Sequence, residues 1–165
     1  MICAAAHITY IPTWEGWLYL ATVIDCHTKM IIGYCMGEEY KTPLIQAALH
    51  HAASRITLEP GAISHSDRGS NYTSYDFAAT ITELDLRHSV GRTGICYDNA
   101  MAESFFAALK NERVHRTVYP TRKHARRDIT RYIEFWYNSN RPHSGLDYKT
   151  PQKVLKEWTN SQEAA

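Results

Sequence analysis

Two carboxylates stand out by where they fall. Asp67 ends the short apolar run 61–66 (GAISHS) and opens the polar stretch DRGSNY, the position at which α/β sheets present functional groups beyond their carboxyl edge. Glu103 falls about one turn into a helical pattern that starts near Asp98. Asn99, four residues before it, and Lys110, seven after, share its polar face, opposite Phe105 and Leu109. Taken singly, a strand-end aspartate is most often a turn former and a helical glutamate most often a solvated charge. Together they suggest an acidic site.

Charge supports such a site facing a polyanion. The net charge of the 165 residues is only +1, yet residues 1–103 carry 6 Lys/Arg against 11 Asp/Glu, and residues 104–165 carry 12 against 6. An acidic first part beside a basic last third suits nucleic acid, although a basic helical face is also commonly just solvated. Cys3, Cys26, Cys35 and Cys96 are scattered with no C-x-x-C pair, so neither a zinc knuckle nor a disulfide framework is indicated. No run of about 18 apolar residues exists and the start lacks a signal-peptide layout. A soluble, cytoplasmic chain is expected.

The elements that would position these residues follow from periodicity. Residues 7–12 and 17–25 read as strands joined by a turn at Thr13–Gly16, and 29–36 as a third strand. A turn centred between Trp14 and Glu15 sets residue 7 opposite Thr22 and puts Asp25 on the other side of the sheet. A helix follows from Thr42 as N-cap and Pro43 at its first position, with Leu44, Ala48, Leu49 and Ala52 on its apolar face. Residues 61–66 form a strand, 74–84 a helix through Phe77, Ile81 and Leu84, and 85–89 a short strand. A helix from an Asp98 cap to about Arg113 buries Ala102, Phe105, Phe106 and Leu109. The last long helix spans roughly 121–138, with Ile129, Ile133 and Trp136 on its core side. This order predicts a five-stranded mixed sheet, three antiparallel strands extended by two parallel ones, flanked by helices. One domain is expected over 1–165, ordered from about 7 to 158, with anything that normally precedes the first strand absent.

Three motifs in order carry a resemblance: HSDRGSNY, DNAMAESFFAALKNE and YNSNRPHSGLDYKTP, with thirty-five residues separating Asp67 from Glu103. Together with HITYIPTWEGWLYLATVID they resemble the catalytic core of bacterial insertion-sequence transposases of the retroviral-integrase type, over about residues 7–158. The resemblance implies a ribonuclease-H-like fold and an aspartate, aspartate, glutamate triad binding two Mg2+ or Mn2+ ions. Asp67 matches the second aspartate and Glu103 the glutamate. The first aspartate's position holds His7.

The chemistry of such a triad calls for carboxylates. Two hard cations about 3.5 to 4 Å apart activate the attacking oxygen and stabilise the leaving one at phosphorus, and oxygen ligands hold them best. A carboxylate can bridge both ions, whereas an imidazole offers one lone pair and no negative charge. His7 is thus expected to weaken the site and strand transfer; it is either a weak ligand, better suited to manganese or zinc, or an inert strand residue. Asp25 is not expected to replace it.

By the same resemblance, Arg68, Ser70 and Asn71 would approach a scissile phosphate, and Asn99 and Lys110 would contact DNA beside Glu103. Arg122, Lys123, Arg126, Arg127 and Arg131 spread over two helix faces, either solvated or with one meeting DNA. His65 and His143 show no metal-ligand spacing and are read as structural. The implied function is metal-dependent DNA cleavage and strand transfer by a homo-oligomer, a dimer or higher, at the bacterial nucleoid. The alternative is a catalytically silent DNA-binding or assembly remnant. Hydrolysis of RNA–DNA hybrids fits the fold but not the C-terminal motif.

Overall fold

The computed structural model describes residues 3–66, 72, 74–90 and 97–163. Strands β1 (Cys3–Thr13), β2 (Gly16–Asp25) and β3 (Ile31–Gly37) form an antiparallel meander. Helix α1 (Thr42–Arg55) crosses to β4 (Ile63–Ser66), and α2 (Tyr75–Glu83) to β5 (Arg87–Val90). Helices α3 (Tyr97–Glu112), α4 (Arg122–Arg131) and α5 (Pro151–Glu163) complete the chain. The sheet order is β3-β2-β1-β4-β5, with β4 and β5 parallel to β1, the mixed sheet predicted from the element order.

Alternation along β1 and β2 divides the core into two layers. Ala4, Ala6, Ala21 and Val23 meet Leu44, Ile45, Ala48, Leu49 and Ala52 of α1 and Phe77 and Ile81 of α2. Ile11, Leu18, Leu20 and Ile24 meet Ala102, Phe105 and Leu109 of α3 and Ala125 and Ile129 of α4. Alanines on α1 let it lie close on the sheet. At Gly33 an added Cβ would sit 2.3 Å from the Ala48 carbonyl oxygen, so β3 and α1 approach as only glycine permits.

Several boundaries differ from the sequence pattern. β1 starts at Cys3, four residues before the expected start, because Cys3–Ala6 are zipped to β4 and Ala4–Ala6 also to β2; pairing on both sides overrides the poor strand propensity of alanine. Thr42 is the first helical residue, capped from Lys41, and its hydroxyl lies against Ser74 Oγ at 3.3 Å. α3 is already helical at Tyr97, so Asp98 lies inside its first turn rather than capping it. α4 passes into a π-helical stretch, Tyr132–Tyr137, whose wider turn rotates the following side chains. Tyr137 is thereby buried, while Trp136, expected in the core, is 47% exposed. α5 was not anticipated; Thr150 and Pro151 open it, and Val154, Leu155 and Trp158 give it an inner side.

Candidate active site

The β1–β2 hairpin turns tightly, with Thr13 paired to Gly16 and Gly16 at φ +108°, and this fixes the register of everything upstream. His7 pairs with Thr22 and Ala4 with Asp25, as the turn geometry predicts. His7 therefore shares its sheet face with Ile11, the face covered by α3, and its Nε2 is enclosed. Asp25 faces the other way, is 6% exposed, and closes the β2–β3 turn: its Oδ2 accepts from the Thr28 amide at 2.9 Å and the Thr28 hydroxyl at 2.5 Å. Asp25 is a turn residue and no substitute for a carboxylate at position 7.

β4 delivers the chain to the same end of the sheet. Ser66, just before Asp67, pairs with Ala6, just before His7. Ser66 is fully buried, and its Oγ lies 2.8 Å from His88 Nε2 of β5. Neighbouring His65 lies 3.3 Å from Ser89 through Nδ1 and Oγ. Burial, then the nearness of His65, holds His88 below the usual histidine pKa. These serine–histidine pairs tie β4 to β5 at the end of β4; the sequence offers only the HS dipeptide repeated at 65–66 and 88–89 as a hint. Asp67, Arg68, Ser70 and Asn71 lie outside the described residues, as does the side chain of Asn99.

α3 packs across β1 and presents Glu103 to solvent on the side away from its buried Ala102, Phe105 and Leu109. Among the described residues, the Glu103 side chain takes part in no ion pair and no hydrogen bond. Lys110, two turns on, is half-buried, with its ammonium 4.7 Å from the centroid of the Tyr10 ring on β1. That cation–π contact holds the side chain over the sheet. Phe106 is only partly buried.

Another carboxylate on α3 has a different fate. Glu112 accepts from the Tyr132 hydroxyl at 2.8 Å, the Trp136 indole at 3.0 Å and Arg141 Nε at 2.8 Å. Burial pushes its pKa up, but the hydrogen bonds from Tyr132, Arg141 and Trp136 together outweigh this and hold it below the usual glutamate value. Asp128 of α4 is likewise taken up, by Arg113 and the Tyr119 hydroxyl. The basic helix sorts into two sets. Arg122 donates to the Trp17 carbonyl and pairs with Glu38 at 3.0 Å, and Arg126 donates to the Met36 carbonyl, so both hold α4 to the meander. Lys123, Arg127 and Arg131 form an exposed line at four-residue spacing.

The C-terminal motif forms a clasp. Asn138 accepts from the Ile31 amide and donates to the Ile31 carbonyl, both at 3.0 Å, extending the edge of β3 with a side chain. His143 packs edge-on against Tyr137, 4.8 Å between centroids, with its backbone bridged to Lys149, a structural role as expected. The described residues hold no group of three His, Cys, Asp or Glu side chains placed for a metal.

One family model, described as integrase core domain, matches residues 5–96, and a second of the same description matches 84–151. This chain belongs to the integrase core domain family. The integrase core is 42% identical over 149 residues to the transposase for insertion sequence element IS904 of Lactococcus lactis, covering 90% of this chain and 59% of that protein. It is 40% identical to the transposase InsF for insertion sequence IS3A of Escherichia coli, covering 90% and 52%. The chain thus spans little more than half the length of these relatives. Among solved structures it superposes on the catalytic core domain of BIV integrase with a TM-score of 0.68 at 13% identity, covering 98% of this chain and 97% of that one. It also matches the HTLV-2 integrase catalytic core domain in complex with magnesium, at a TM-score of 0.65 and 14% identity over 92% and 94%. At such identities the likeness is one of fold, and the fold is ribonuclease-H-like.

Proposed function

We propose that this integrase core is the catalytic part of a bacterial DNA transposase. It would cut DNA ends and join them to target DNA, with Asp67 and Glu103 holding Mg2+ or Mn2+ and His7 standing where a further carboxylate belongs. Glu103 carries the reading: an exposed carboxylate, uncommitted among the described residues, on a helix packed across the strand that bears His7. Ser66, the residue before Asp67 in the sequence, and Ala6, the residue before His7, are partners in adjacent parallel strands.

The carboxylates of Asp67 and Glu103 are the oxygen donors that hard divalent ions require, so these two residues fit the ions. His7 fits poorly, since its Nε2 is enclosed and an imidazole supplies no negative charge. When bound, the ions supply activation of the attacking oxygen and stabilisation of the leaving one. The protein's own part is to hold the DNA: Lys110, steadied on Tyr10, would grip a backbone phosphate beside Glu103, and Arg68, Asn71 and Asn99 would contribute further contacts. The working partner is DNA, the working assembly a homo-oligomer, and the place of action the bacterial nucleoid. No helix among the described residues is long and apolar enough to cross a membrane.

A test compares this sequence with His7→Asp for end cleavage and strand transfer on terminal-repeat DNA, in manganese and in magnesium. His7→Asp is expected to be faster by on the order of 10²-fold, the scale of one lost charge-stabilising group, and Glu103→Gln in that background to be inactive. Equal rates for the two proteins would contradict the ligand argument. His7 itself favours a second reading, a silent DNA-binding or assembly remnant. Its signature is DNA binding without cleavage in either protein.

A further inference from the structure

On the α3 side of the sheet, a cavity of about 320 Å³ opens between the β2–β3 turn, the early turns of α3 and the C-terminal clasp. Its lining includes Lys29, Ser104, Tyr137, Arg141, His143 and Gly145, and no carboxylate among the described residues. Ala100 and Ser104, three residues before and one after Glu103 on α3, line it, so the cavity lies beside the stretch of helix that carries Glu103.

Positive charge here is built in and little compensated. Lys29 has φ +59°, a strained backbone for a lysine, and makes no ion pair among the described residues. Its ammonium is packed so close to Gly145 that an added Cβ there would lie 2.3 Å from Nζ. Arg141 is held to Glu112 through Nε alone, at 2.8 Å, which leaves the outer edge of its guanidinium for another acceptor. The Nε2 of His143, with no hydrogen-bond partner among the described residues, is enclosed nearby. Burial, followed by Arg141 and Lys29, keeps the His143 pKa below its ordinary value, so this ring sits in the field of both cations. The early turns of α3 add the partial positive charge of a helix N-terminus.

We infer that this cavity seats a backbone phosphate of duplex DNA next to Glu103, with Lys29 and Arg141 as its cationic contacts. The inference rests on the DNA reading above and gives the C-terminal motif a second task beyond clasping β3.

The test measures the affinity of the full chain for a short fluorescent DNA duplex as NaCl is varied. Lys29→Gln is expected to reduce the slope of log K against log salt by about 0.9, the loss of one phosphate contact, with affinity several-fold weaker. Lys29→Gly, which relieves the positive φ, should lose the same slope and so separates charge from misfolding. Lys41→Gln, the same charge change at an exposed lysine paired with Glu39 on the surface, should keep the wild-type slope. Wild-type slopes in both Lys29 variants, with melting temperatures unchanged, would overturn this inference alone. Failure of the unaltered chain to bind duplex DNA would overturn the DNA reading and this inference with it.

Discussion

Glu103 and Glu112 sit on one helix, nine residues apart, in opposite circumstances. Glu112 is surrounded by three donors from the π-helical stretch and the clasp, while Glu103 faces solvent and has no partner among the described residues. The end of α3 near Glu112 uses its charges to hold the fold together. The end near Glu103 keeps a charge available to solvent, as a site that handles ions or phosphates does. A helical glutamate by itself says neither; its donors decide.

That contrast can be broken by substitution. The largest expected effect is in the clasp: Asn138→Ala strips two buried hydrogen bonds from Ile31 and should lower unfolding free energy by about 3 kcal/mol in urea titration. Glu112→Ala leaves Tyr132, Trp136 and Arg141 without their acceptor and should cost about 2 kcal/mol, less because the site is partly exposed. A loss below about 0.5 kcal/mol for Glu112→Ala, the scale of an ordinary surface substitution, would erase the difference between the two ends of α3.

Acid should sharpen the same comparison. Glu112 and Asp128 both have pKa values below their ordinary 4.5 and 3.8. Their stabilisation is therefore present above those values and is lost as pH falls through the lower folded-state values. The melting temperature should drop as pH is taken below about 4.5, and Glu112→Gln should make that drop shallower. Smallest of all, Glu103→Ala should change stability by no more than about 0.5 kcal/mol, even though it removes a residue of the proposed active site.

The readable parts of the sequence are those in which local pattern and tertiary structure agree. A tight hairpin and period-two alternation are enough to place His7 opposite Thr22 and Asp25 on the far face. Helical periodicity is enough to bury Phe105 and Leu109 and expose Glu103. The strand from Cys3 to Ala6 is hidden because alanine has no strand preference until both neighbours pair with it. Trp136 is misplaced by a 3.6-residue period because the π-helical stretch changes the phase. The roles of Glu112, Arg122 and Arg126 are hidden for a different reason: their partners lie 20 to 105 residues away in sequence, and only folding brings them together.

The central claim is that Asp67 and Glu103 hold a divalent cation at a site that His7 has weakened. Calorimetric titration of Mn2+ into this chain, Glu103→Gln and His7→Asp tests it most directly. The account predicts weak binding by the chain, tighter binding by His7→Asp through the added carboxylate, and none by Glu103→Gln. Equal affinity for all three, or retention of the ion by Glu103→Gln, would contradict it.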